Sequence, residues 1–128
     1  MADKFATAIN CMDGRVQDPV NNWLKSKTDA KYVDVITEAG PDKLMASTST
    51  ASRLILQRIL VSRDKHGSED LALVAHHDCA GNPVTRMEHL AHLKRAATIM
   101  ETWDLKMNIY MLWVNDEWQV ELVEEIKS

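Results

Sequence analysis

Leu71-Ala72-Leu73-Val74-Ala75 is an unbroken apolar run of strand length, followed at once by His76-His77-Asp78-Cys79-Ala80-Gly81. A strand that is apolar at every position, rather than at every second one, is covered on both faces. That is the signature of a central strand in a parallel sheet. Parallel neighbours need crossover helices, and the flanking sequence supplies them. Upstream, Ala51, Ser52, Ile55, Leu56, Ile59 and Leu60 make one wide face at the helical period, which predicts a helix over 47–64, stopped by His66-Gly67. Downstream, Leu90, Leu93, Ala97 and Met100 share one stripe of a helix expected over 83–101.

The remaining elements follow the same alternation. Phe5-Ala6-Thr7-Ala8-Ile9-Asn10 reads as strand one, and Asp18-Pro19 starts a short helix expected over 20–27. Tyr32-Val33-Asp34-Val35-Ile36-Thr37 is strand two, and Ala39-Gly40-Pro41 reads as the loop that ends it. Strand four is expected over 107–114 and turns at Asn115-Asp116-Glu117 into an alternating strand five over 118–122. Right-handed crossovers then predict one three-layer α/β domain over 1–128. Its parallel sheet has order 2-1-3-4, an antiparallel edge strand five and helices on both faces. Winding reverses between strands one and three, and ligands bind outside the carboxyl ends of those two strands.

Composition narrows the partners. Apolar residues make up 45% and charged residues 27%, with only four glycines and three prolines, so the chain is neither collagen-like nor linker-dominated. Fifteen basic against nineteen acidic residues give a net charge of −4, and the pI is near 5.7. Without a basic surplus, nucleic acid is not an expected partner. The longest apolar runs, 71–75 and 110–114, fall far short of the roughly 18 residues of a membrane span, so no membrane partner is expected either. Met1-Ala2-Asp3-Lys4-Phe5 shows no basic-then-apolar leader, which makes a cytoplasmic location the expectation. Two cysteines cannot build a disulfide framework; they are small buried hydrophobes, metal ligands or catalytic thiols.

Their surroundings decide. Cys11-Met12-Asp13-Gly14-Arg15 follows strand one, and His76 to Cys79 follow strand three, so both cysteines converge on the expected crevice from distant positions. Two thiolates and one imidazole form a donor set that suits zinc, and such a set leaves the fourth position open. His76 and Cys79, three apart, can reach one ion. H-x-x-C alone is a weak signal; beside C-x-D-x-R it is much stronger.

Together the two motifs resemble those of the β-class carbonic anhydrases, which carry C-x-D-x-R after the first strand and H-x-x-C after a later one. The likeness runs from about residue 5 to 81 and more loosely through the last hairpin. It implies a parallel sheet with flanking helices, Cys11, His76 and Cys79 as Zn²⁺ ligands, and Asp13 with Arg15 as the family's Asp–Arg dyad. If that pair broke, Asp13 could become a fourth ligand. The implied activity is that of a zinc lyase hydrating CO₂ reversibly to bicarbonate by zinc-bound hydroxide, working as a homodimer or higher homo-oligomer. The same likeness admits a relative acting on carbonyl sulfide, or a zinc-bearing member that binds an anion or partner without turnover.

Three positions depart from the family pattern. Thr37-Glu38 stand where the family usually has Arg-Asn, which is expected to alter the charge of the loop beside the site. Ala80 replaces the usual glycine after the last ligand. Strand one starts at Phe5, so the N-terminal helices that many members use for dimer contacts are not expected.

Other residues have plainer readings. The Asp13–Arg15 pair could equally be a structural ion pair capping its loop. His77 is read as an exposed loop residue rather than a proton shuttle. His89 and His92 look like a polar helix face, since no carboxylate or cysteine is evident beside them, rather than a second metal pair. Trp103, Trp113 and Trp118 are expected in core and subunit-interface packing. Cys79 and Arg86 are spaced one residue too far apart for a cysteine phosphatase loop, whereas a Cys11–Cys79 redox pair stays open.

Overall fold

The structure, a computed structural model, describes residues 3–128; Met1 and Ala2, the start of the expected 1–128 domain and of the leader reading, lie outside them. The described residues form five strands: β1 (Phe5–Cys11), β2 (Tyr32–Glu38), β3 (Asp70–His76), β4 (Asn108–Val114) and β5 (Val120–Ile126). Four α-helices join them: α1 (Gln17–Thr28), α2 (Pro41–Met45), α3 (Thr50–His66) and α4 (Arg86–Glu101). The sheet order is β2-β1-β3-β4-β5, with only the β4–β5 pair antiparallel. Every residue of β3 is buried, as its apolar run requires.

Handedness sets which face each helix covers. The step from β1 to β2 runs one way across the sheet; the steps from β2 to β3 and from β3 to β4 run the other. Right-handed crossovers therefore send α1 to one face and α3 and α4 to the opposite one. The two cores follow strand alternation. Ile9, Leu71, Leu73 and Met111 pack with Ile55, Ile59, Leu93 and Met100. Ala8, Ala72, Val74 and Leu112 pack with Val20 and Leu24. Each fully buried Val, Leu, Ile or Met side chain among these contributes roughly 1.5–3 kcal/mol. Among the described residues no helix is long and apolar enough to cross a membrane.

Several boundaries differ from the sequence reading, each for a local reason. The segment read as loop at Gly40-Pro41 opens α2, because proline suits the first helical position and Gly40 takes φ +62 before it. Helix α3 starts at Thr50, not 47, because the Ser49 side chain caps it and Ser52 bonds back. Its buried face is Ser52, Ile55, Ile59 and Ser62, while Ala51 faces outward. Helix α4 starts at Arg86, not 83, behind a Thr85–Glu88 capping box. Strand β5 starts at Val120, not 118: Trp118 adopts φ +59 and its N–H donates to the Asn115 carbonyl at 2.9 Å, so it belongs to the turn.

Candidate metal centre

Strands β1 and β3 are parallel neighbours paired through Ile9 and Leu73, so their carboxyl ends lie side by side. Those ends are Cys11 and His76, each the last residue of its strand rather than just past it. Behind β3 the chain turns at Asp78, with φ +57, and brings Cys79 back toward Cys11. The two sulfurs stand 3.9 Å apart. The available donor atoms of Cys11, His76 and Cys79 all lie within 4.8 Å of one another, and all three residues are buried. Among the described residues this is the one such convergence of three His, Cys, Asp or Glu side chains.

The imidazole is oriented by its own loop. Nδ1 of His76 bonds to the His77 carbonyl at 2.7 Å, which leaves Nε2 as the free donor atom. That Nε2 is buried with no hydrogen-bond partner in the protein. A ring nitrogen tied to a carbonyl while the other stays free is the arrangement of a metal-ligating histidine.

The two thiols are electrostatically unlike. Burial pushes the Cys11 thiol up, but the neighbouring His76 imidazole and the backbone amides of Gly40 and Asp13 outweigh it and bring the pKa down to about 7. Cys79 is pushed up to about 11 by burial and by the negative charge of Cys11, against the opposing pull of the Asn82 and Gly81 amides. His76 is raised: burial lowers it, and the Cys11 thiolate and the His77 carbonyl more than reverse that.

Beside the sulfurs, Asp13 and Arg15 form a tight pair. Arg15 donates from Nη2 to Oδ2 at 2.7 Å, from Nε to Oδ1 at 3.1 Å and from its backbone N–H to Oδ1 at 2.9 Å. These bonds, led by the guanidinium, hold the Asp13 carboxyl at about 2. The guanidinium is gripped further by Asp78, through its carboxylate at 3.3 Å and its backbone carbonyl at 3.2 Å. Its third neighbour is the Trp118 ring, 4.4 Å away.

A family model described as "Putative carbonic anhydrase" matches residues 1–124. The chain belongs to that carbonic anhydrase family. Solved structures agree on the fold. A carbonic anhydrase from Streptococcus mutans superposes with TM-score 0.65 at 15% identity, covering 93% of this chain and 81% of its own. One from Glaciozyma antarctica gives 0.62 at 13% identity, over 93% and 81%. A tetrameric β-carbonic anhydrase from Sordaria macrospora gives 0.56 at 10% identity, over 98% and 83%. No curated protein sequence matches this member of the family.

The Glu38 carbonyl accepts the Met12 N–H at 2.9 Å, which ties the end of β2 to the loop after Cys11, while its carboxylate lies 3.8 Å from Arg58 on α3. Thr37 and Ala80 are exposed. Close packing falls instead to Gly81: a Cβ there would stand 2.5 Å from the Ala39 carbonyl carbon and 2.7 Å from the Gly40 nitrogen. His77 is exposed, as read from its loop position.

His89 and His92 do not form the polar outer face of a helix that the sequence suggests. A carboxylate does lie beside them: Asp42 Oδ2 accepts from His89 Nδ1 at 2.6 Å and lies 3.6 Å from His92 Nδ1. His89 is buried, so this is an inward face of α4 and not a polar outer one. The available signal was the pairing of His89 with Leu93 and Ala96 on one helical stripe. Trp113 is buried against His89, with ring centroids 5.3 Å apart, and Trp103 packs on the core edge, both as expected. Trp118 does otherwise: it reaches Arg15 and faces the rings of His76 and His77 at 6.4 and 6.3 Å, and no sequence signal marked it.

Proposed function

We propose that residues 1–128 form one domain that holds a zinc ion through Cys11, His76 and Cys79 and catalyses the reversible hydration of CO₂ to bicarbonate. The observation that carries this reading is the buried, unpartnered Nε2 of His76 beside two thiol sulfurs. Two sulfurs and one nitrogen are donors that zinc favours, and three protein ligands leave a position for chemistry. A zinc ion there supplies Lewis acidity that brings the ionisation of water down to about pH 7.

The chain's own residues do the rest. A carboxylate offers roughly four lone-pair positions. Three N–H groups of Arg15 occupy Asp13, so one position remains to accept a hydrogen bond from the attacking water and orient it. Asp13 stays ionised because Arg15 holds its pKa at about 2. Asp78 and Trp118 hold Arg15 in turn, which keeps Asp13 from swinging into the ligand set. In the reaction a bond forms between the water oxygen and the CO₂ carbon, one C=O π bond opens to give the bicarbonate oxygen, and the proton passes to solvent.

The free thiols suit a reducing compartment, consistent with a cytoplasmic location. The tetrameric neighbour supports a homo-oligomer, which light scattering would report as a mass above 14.5 kDa. The deciding experiment is stopped-flow CO₂ hydration on zinc-loaded protein with elemental analysis of the same sample. Zinc-dependent hydration is expected. Bound zinc without hydration removes the lyase but keeps the metal site; a folded chain that takes up no zinc removes both.

A further inference from the structure

Behind the metal site lies a second polar cluster, more deeply buried than the first. Asp42 and Asn82 are 0% exposed and His89 is 1% exposed. Asp42 Oδ2 accepts from His89 Nδ1 at 2.6 Å and from Asn82 Nδ2 at 3.0 Å. The second Asn82 amide hydrogen points to His92 Nδ1, also at 3.0 Å. Three segments are tied in this way: α2 just after Gly40, the loop just after Gly81, and α4.

These are the segments that adjoin the cysteines. Gly40 lies two residues past Glu38, which pairs with Cys11 across β1 and β2 and whose carbonyl accepts the Met12 N–H at 2.9 Å, and Gly81 and Asn82 follow Cys79 within three residues. The two loops also touch. A Cβ on Gly40 would lie 2.7 Å from the Gly81 carbonyl carbon, so neither glycine tolerates a side chain while the loops stay joined. Packing alone does not account for the choice of residues. Asp42 Oδ1, Asn82 Oδ1 and His89 Nε2 are buried without a protein partner, a cost that apolar side chains of the same volume would avoid. What the polar residues provide instead is direction, because each hydrogen bond fixes one segment against another.

We propose that Asp42, Asn82 and His89 form a buried clamp that locks the Gly40 and Gly81–Asn82 loops together beside Cys11 and Cys79. They are thus positioning residues for the ligand set. The inference rests on the metal reading above for its use, but the clamp itself can be tested in metal-free protein. Amide hydrogen exchange is measured by NMR on the full chain, parent against His89→Leu and His89→Gln. In His89→Leu, exchange at Gly40, Gly81 and Asn82 should quicken well beyond the change at core amides of β3. His89→Gln, which keeps an N–H toward Asp42, should recover most of the protection. Zinc affinity by chelator competition should fall about 10–100-fold in His89→Leu and recover in His89→Gln, the usual scale for a group that orients ligands. If His89→Leu is too unstable to record, the Gln variant and Asn82→Ala carry the test, the latter losing the same local protection. Uniform exchange changes across the chain, or unchanged zinc affinity in a folded variant, would overturn the clamp. A parent that binds no zinc but shows the local exchange pattern supports the clamp and refutes the metal reading alone.

Discussion

The guanidinium carbon of Arg15 sits 4.4 Å from the ring centroid of Trp118, a residue from the far end of the chain. Trp118 holds φ +59 to do this, and Asp78, which grips the same guanidinium, holds φ +57. Left-handed backbone is costly for a bulky residue, so the Trp118 grip on Arg15 is made from a strained position, whereas aspartate enters that region more readily. A cation–π contact at an exposed site contributes about 0.5–1 kcal/mol. Trp118→Ala should therefore lower kcat/KM for CO₂ about two- to fivefold at unchanged zinc content. Trp118→Phe, which keeps an aromatic face, should stay near the parent. Equal activity in all three would reduce Trp118 to a turn residue.

The Asp13 carboxyl should titrate well below a free aspartate. The Arg15 side chain leads the shift, to about 2, against about 3.9 for a free aspartate. A depressed carboxylate pKa contributes stability that is fully present above the unfolded value and is lost as pH falls through the folded one. The pair is thus expected intact at pH 4 and broken near pH 2. Carbon-detected NMR of the Asp13 side chain would follow it, and Arg15→Ala should return the titration toward the free value. Arg15→Lys should restore little of the shift, because an ammonium cannot reproduce the two-donor guanidinium fork.

Gly81→Ala should destabilise the fold. Its Cβ would meet backbone atoms at 2.5 and 2.7 Å, and backbone does not yield as a side-chain tip does. Overpacking of this kind costs typically about 1–3 kcal/mol. Gly14→Ala is the control, since nothing lies within 4 Å of the added methyl group. Denaturant unfolding should separate the two, with Gly81→Ala clearly weaker and Gly14→Ala within about 0.5 kcal/mol of the parent.

Cys79→Ser should lose the metal. A serine hydroxyl is a poor substitute for a thiolate toward a borderline-soft ion. Parent protein prepared without chelators should carry about one zinc per chain by elemental analysis, and the variant close to none. Parent-like zinc in the variant would place the ion elsewhere.

Much of this was legible in the chain. The 71–75 run marked the buried central strand, and the order of elements with right-handed crossovers placed Cys11 and His76 at the reversal of winding. Both inferences rest on local pattern and a topological rule. The clamp was not legible because its three members come from three segments, each ordinary alone. Only the approach of Gly40 to Gly81 brings Asp42 under His89. Strand β5 was misplaced by its own alternation: Trp118, Val120 and Leu122 keep a period of two across the turn, but Trp118 takes φ +59 and the strand begins only at Val120.

Cys11 and Cys79 stand 68 positions apart in sequence and 3.9 Å apart in space. An ion bonded to both would act as a reversible crosslink spanning more than half of the chain. On the chain-entropy account, closing a loop of that length removes about 4 kcal/mol of freedom from the unfolded ensemble. Such a staple comes and goes with metal supply, so folding yield would track the free zinc concentration and a strong chelator would act on this chain as a mild denaturant.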